Sequence, residues 1–257
     1  MGLSLPIRGN ARLKEVVARI DASTRLATLW AASNVMVLDR MHINDHGPVH
    51  IKIITNIALK LLRLLVAGGV TPSVVADHHL VGEDAEVIVV VASVLHDIGH
   101  VIHRHNHEEL SIILAPSLIR QFLEGVYSEE PATILEGEIL HAIHAHRRDI
   151  APLTVEAGIV KVADALDMEA GRARIPFTAG EPTIHSVSAM AIKKVRIMKG
   201  DERPVKIHVE MSNSAGIFQL DNLLREKLKR SGIASHFEVL GEISGEERKI
   251  IERYTIE

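Results

Sequence analysis

From about residue 10 to residue 172, apolar side chains recur at three- and four-residue spacing in runs too long for strands. This periodicity commits most of the chain to amphipathic helices. The spacing predicts helices over 11–21, 23–40, 48–67, 71–78, 83–97, 106–126, 132–147 and 154–170. Breakers fall between them at Gly47–Pro48, Gly68–Gly69, Thr71–Pro72, Gly82, Gly99, Pro131, Pro152 and Gly171. Pro48 suits the first turn of its helix, and Thr71 is the expected N-cap ahead of Pro72. After about Gly180 the pattern changes. Ile192, Val195 and Ile197 lead into a polar turn at 199–204, and Val205, Ile207, Val209 and Met211 then alternate with polar residues, which reads as a β-hairpin. Residues 213–231 read as a helix with an apolar stripe at Ile217, Leu220, Leu223, Leu224 and Leu228, and 236–243 as a third strand. The expected fold is mainly α: a helical bundle over 1–182 followed by a small α+β module, β-β-α-β, over 183–257.

The chain has no cysteine, which excludes disulfides, thiolate zinc sites, iron–sulfur clusters and cysteine nucleophiles. It has 16 histidines in 257 residues, and all but His185, His208 and His236 lie between His42 and His146. A metal bound here must sit on imidazole and carboxylate, a donor set that suits manganese, iron, nickel, zinc or magnesium. A net charge of −4 carries no basic footprint, so a nucleic-acid partner is not expected. The longest apolar stretch, around Val87–Leu95, is far below the roughly 20 residues needed to cross a bilayer. The N-terminal MGLSLPIRGN lacks the charged-then-apolar pattern of a secretory leader. No membrane partner is expected, and the cytoplasm is the expected location.

The strongest local signal is Leu95-His96-Asp97-Ile98-Gly99-His100 at the end of an apolar helix. An adjacent His–Asp pair at a helix terminus can bind one metal through imidazole while the carboxylate bridges to a second. Helical phase adds to this. Leu135, Ile139, Ala142 and His146 form one core-facing stripe, and His107 begins a stripe continued by Ser111 and Leu114. Asp164, flanked by Val162, Ala163 and Leu166, needs a partner if buried. Asp167 is the alternative to it. His42, His103, His105, His141 and His144 can be outer neighbours of a site or line a polar cleft.

In order along the chain, His50, His96-Asp97 and Asp164 resemble the pattern of the HD superfamily of phosphohydrolases. His107 in NHEELS and His146 in AIHAH are similar to the further ligands of its two-metal branches. The resemblance spans roughly residues 42–170. It implies an HD-domain helical bundle with two divalent metal ions, of manganese, iron, nickel, zinc or magnesium. His50, His96, Asp97 and Asp164 would hold the first. Asp97 would bridge to a second, held also by His107 and His146. The pair His46/His50 and the HDxxH run ending at His100 resemble cyclic-nucleotide phosphodiesterases. That likeness implies His46 as general acid and places His100 with Asp97 among the catalytic residues. The GYP motif of the cyclic-dinucleotide branch is absent. Arg104, Arg147 and Arg148 are candidates for binding substrate phosphate, with Arg172 and Arg174 behind them. The expected activity is hydrolysis of a phosphoester in a small phosphorylated substrate, a nucleotide or related monoester or diester. The alternatives are a di-iron oxygenase on the same ligand set and a nucleotide-binding regulator. Homo-oligomerisation is expected, if anywhere, through the C-terminal module.

Overall fold

A computed structural model describes residues 2–170 and 184–244. The boundary expected at 182 and the arginines Arg172 and Arg174 lie outside the described residues. Helices α1 (Ala11–Ala22), α2 (Thr24–Asn34), α3 (Pro48–Ala67), α4 (Ser73–His78), α5 (Gly82–Leu95), α6 (His107–Leu123), α7 (Glu129–Ala145) and α8 (Val155–Leu166) build the bundle. From Val87 to Leu95 every residue of α5 is buried, so it has no polar face and sits at the centre. α1, α3, α4, α6, α7 and α8 all pack around it. Each of its Val, Ile and Leu side chains contributes about 1.5–3 kcal/mol by leaving water. None of the described helices is long and apolar enough to cross a membrane.

The expected helices are present, and their ends differ for physical reasons. The helix expected over 23–40 is α-helical only to Asn34 and continues as a π turn, Val35–Arg40. There the Asn34 side chain turns away to accept from the His46 backbone N–H (3.1 Å). α7 begins at Glu129, ahead of Pro131, because a proline in the first turn removes an N–H that has no intrahelical partner. Thr71 does not cap α4. The N–H groups of Ser73 and Val74 are instead taken by the buried carboxylate of Glu156 on α8, both at 3.1 Å. α8 stops at Leu166, short of the expected 170, where Asp167 leaves the helical region (φ −80°, ψ 67°).

Past the bundle, α9 (Ile184–Met190), which periodicity missed, leads into β1 (Ile192–Lys199) and β2 (Val205–Met211). These form the expected antiparallel hairpin, and β3 (Phe237–Ile243) pairs parallel to β2 on its other side. The crossover between β2 and β3 is not one regular helix. A 3-10 turn, Ser214–Gly216, precedes a π-helical stretch, Gln219–Arg225, which passes into α10 (Glu226–Lys229). Val205, Ile207, Val209 and Met211 face inward and join the same continuous core as the bundle. β1 and β2 lean on α3, and the crossover leans on α8.

Candidate metal centre

Five helix ends converge on one buried cluster. His50 sits in the first turn of α3 and His107 opens α6. His96 and His146 are the C-cap residues of α5 and α7, and Asp164 lies in the last turn of α8. Three C-termini and two N-termini meet there, so the helix dipoles largely offset one another, with one negative end in excess.

Backbone carbonyls orient three of the imidazoles in the same way. Nδ1 of His96 meets the Ser93 carbonyl (2.9 Å), Nδ1 of His107 meets the Arg104 carbonyl (3.1 Å), and Nδ1 of His146 meets the Ile143 carbonyl, each three residues back. A carbonyl only accepts, so each Nδ1 carries a proton, and in the neutral ring each Nε2 carries the lone pair. His50 is held similarly by a carboxylate, with Nδ1 2.6 Å from Asp167 Oδ2. Four Nε2 lone pairs are thus presented to the cluster.

Asp97 lies at its centre, with one oxygen facing each half. Oδ2 is 3.2 Å from His96 Nε2, 3.3 Å from His50 Nε2 and 2.6 Å from His46 Nδ1. Oδ1 is 3.2 Å from His107 Nε2, 3.5 Å from His100 Nε2 and 3.8 Å from His146 Nε2. Asp164 Oδ1 closes the first half, 3.5 Å from His50 Nε2 and 3.9 Å from His96 Nε2. Donors that each bind one ion at about 2.1 Å stand roughly 3 Å or more apart, so these separations suit ligation. Nε2 of His50 and Nε2 of His96 are buried with no hydrogen-bond partner. In the second half, the Nε2 atoms of His107 and His146 face each other at 3.4 Å. Two lone pairs so placed need a shared cation or proton between them. The donor set fits divalent metal ions, and sets of three donors fall on both sides of Asp97.

Electrostatics favours the ligating protonation state at Asp97, Asp164 and His146. Burial alone would raise the pKa of Asp97, but His96, His46 and His100 hold it well below the ordinary carboxylate value. Burial likewise opposes ionisation of Asp164, and Lys227, His96 and His50 overcome it. Burial, then His96 and His107, pushes the His146 imidazole well down, so it stays neutral. His100 is lowered chiefly by burial. His96 goes the other way: burial lowers it, but Asp97 and Asp164 outweigh that and raise it. Ionised carboxylates and neutral imidazoles are the forms that bind metals.

Residues 52–169 match the model of the HD domain family. An uncharacterized protein of Methanocaldococcus jannaschii is 41% identical to this chain over 243 residues, covering 95% of this chain and 93% of that protein. The chain belongs to the HD domain family. Its match takes in His96, Asp97, His107, His146 and Asp164 and begins just after His50. HD domains bind divalent metals, and the family is mostly metal-dependent hydrolases. In this HD domain the turn after His96-Asp97 is drawn against α6 by two bonds through one hydroxyl. Ser111 Oγ donates to the His96 carbonyl (2.7 Å) and accepts from the Gly99 N–H (2.8 Å). Asn106, in the left-handed region (φ 56°, ψ 34°) that asparagine tolerates, turns the chain so that α6 starts on His107.

His46, His50, His96, Asp97, His100, His107, His146 and Asp164 therefore share one cluster. Arg104 reaches it by donating from Nη1 to His100 Nε2 (3.0 Å). Arg147 is occupied by Glu109 and Asp149, and Arg148 is exposed, so neither is brought to the imidazoles. His103 and His105 are exposed, and His141 accepts from the Leu153 N–H (3.0 Å), away from the centre. Asp167 proves to be a partner of His50 on its outer side. Periodicity missed Lys161, fully buried on α8. Its ammonium donates to the carbonyls of Ala145 (3.1 Å), Arg147 and Ile150 (2.7 Å), fixing the chain around His146. A lysine amid Ile159, Val160, Val162 and Ala163 was the signal available.

Proposed function

We propose that this HD domain is a two-metal phosphohydrolase acting on a small phosphorylated substrate, with nucleotides as the first class to screen. The observation that carries the reading is Asp97, whose two oxygens each face a separate set of imidazoles. His50, His96 and Asp164 would complete one ion's shell, and His107 and His146 the other's. When bound, two divalent cations supply Lewis acidity and bring the pKa of a water between them towards neutrality.

The chain's own residues take the remaining roles. Asp97 orients His46 through Nδ1, and the His46 imidazolium would pass a proton to the leaving oxygen. Arg104, docked on His100, would bind a phosphoryl oxygen, and an arginine beside the imidazoles supports hydrolysis over oxidation. His100 would set the position of that arginine. Self-association is proposed through β3, an edge of the sheet among the described residues, on which Val239, Leu240 and Ile243 are exposed. Light scattering on the full chain tests it.

The deciding experiment measures metal content of the purified chain and hydrolysis of a generic phosphomonoester and phosphodiester with manganese, iron, nickel, zinc or magnesium added. Two ions per chain with metal-dependent hydrolysis supports the proposal. Two irons without hydrolysis under any metal would replace it with a di-iron oxygenase. Absence of metal after reconstitution would end it.

A further inference from the structure

Asp164 of the centre carries a resident cation, and that cation comes from the C-terminal module. Lys227, on α10, donates from Nζ to Asp164 Oδ2, with both side chains more than four-fifths buried. The other oxygen, Oδ1, faces Nε2 of His50 and of His96. The two oxygens of Asp164 are thus divided between the module and the metal cradle. An ammonium on the outer oxygen leaves the inner one as a single, directed donor.

The docking that delivers Lys227 is built into the bundle. Gly158 lies inside α8, where a glycine costs about 1 kcal/mol relative to alanine. A Cβ there would stand 2.4 Å from the Ser231 carbonyl oxygen and 3.2 Å from Ile233 Cγ1. Gly158 is what allows the turn after α10 to close on α8. Ser231, Ile233 and Leu224 are buried in that contact. A second tie follows α8, where the Val195 N–H of β1 donates to Glu169 (2.9 Å).

We propose that Lys227 is a positioning residue for the first metal, and that the C-terminal module and the metal centre are thereby coupled: docking of the module aims Asp164, and metal occupancy steadies the module. The coupling must run in both directions with equal strength. The inference rests on the metal-centre reading above.

The test uses the full-length chain, stripped by a chelator and titrated with Mn²⁺ against a chromophoric competitor. Hydrogen exchange of residues 219–229 is followed with and without the ion. For Lys227→Met we expect the first Mn²⁺ to bind about 10- to 100-fold more weakly, the range found when an outer partner of a ligand is removed. The second ion should keep its affinity. Lys227→Arg should retain most of the binding. In the wild type, Mn²⁺ should slow exchange in 219–229, and in Lys227→Met it should not. Equal or tighter binding of both ions by Lys227→Met would overturn the proposal, since the lysine would then be a mere placeholder for the metal. Exchange in 219–229 that ignores Mn²⁺ in the wild type would overturn it too. A wild type that takes up no metal would overturn the metal centre itself and this inference with it. Two tightly held ions with no effect of the lysine would overturn the coupling alone.

Discussion

Gly99→Ala tests how closely the metal centre depends on packing between two elements. The Cβ would lie 2.1 Å from the His107 carbonyl oxygen, 2.6 Å from the Ser111 nitrogen and 2.9 Å from Leu110 Cβ. Ordinary contact begins near 3.4 Å, so the start of α6 must withdraw by 3.4 − 2.1 = 1.3 Å or the turn must deform equally. A withdrawal of that size takes the 2.8 Å bond from Gly99 to Ser111 out to 4.1 Å, which breaks it. The bond from Ser111 to the His96 carbonyl is lost with it. Two buried hydrogen bonds at about 1 kcal/mol each, with overpacking of about 1–3 kcal/mol, give a loss of about 3–5 kcal/mol. At about 2–4 °C per kcal/mol for a chain of this size, Tm should fall by about 6–20 °C. Metal sites tolerate ligand displacements of only about 0.2 Å, and His107 moves by several times that. The variant should therefore keep the ion on His50, His96 and Asp164 and lose the one on His107 and His146. Calorimetry and metal content after dialysis measure both effects. A Gly99→Ala protein with two ions per chain and a wild-type Tm would refute this packing argument.

Four further outcomes follow from the same geometry. Asp167→Asn replaces the acceptor that fixes the His50 tautomer, and should weaken the first ion about 10- to 100-fold in a competition titration while sparing the second. Lys161→Met strands three carbonyls around His146 and should cost about 3–5 kcal/mol in urea unfolding, with loss of the second ion. If turnover is measured on a phosphoester, Arg104→Ala should raise KM about tenfold or more, as expected for a lost charged hydrogen bond, whereas Arg148→Ala should leave KM unchanged. The last concerns pH in the metal-free chain. His146 has its pKa depressed by folding, so below about 6.5 the unfolded chain takes up a proton that the folded chain refuses. Its contribution to stability is thus present above that pH and declines as pH falls. His146→Gln should flatten that decline in unfolding midpoints measured from pH 7 to pH 5, and an unchanged slope would count against the buried neutral imidazole.

Much of this molecule follows from local sequence. The three- and four-residue spacing of apolar side chains placed α3, α5 and α6 to within a few residues, because a helix that must bury one face writes that face into its sequence. The apolar run Val87–Leu95 of α5 is that of a buried helix, and packing puts it at the centre. Alternation at Val205, Ile207, Val209 and Met211 marked an inward-facing strand for the same reason. The resemblance to the HD superfamily, carried by His96-Asp97 with His50, His107, His146 and Asp164 in order, implied one cluster, and all of these residues lie in it.

Tertiary structure decided what depends on approach between segments distant in the chain. Glu156, and not Thr71, caps α4, because the competition for two N–H groups is settled by which carboxylate is brought near. Asp167 and Asp164 are three residues apart on one stretch of chain, and only the end of the helix at Leu166 sends one to the outer side of His50 and the other inward. Arg104 reaches the centre while Arg147 is held by Glu109 and Asp149, a difference set by neighbours that periodicity does not see. The same holds for Lys227, 63 residues from the carboxylate it meets. Spacing reports which face of an element a side chain occupies. Contact between elements also requires their relative placement, which arises only when the whole core is packed at once.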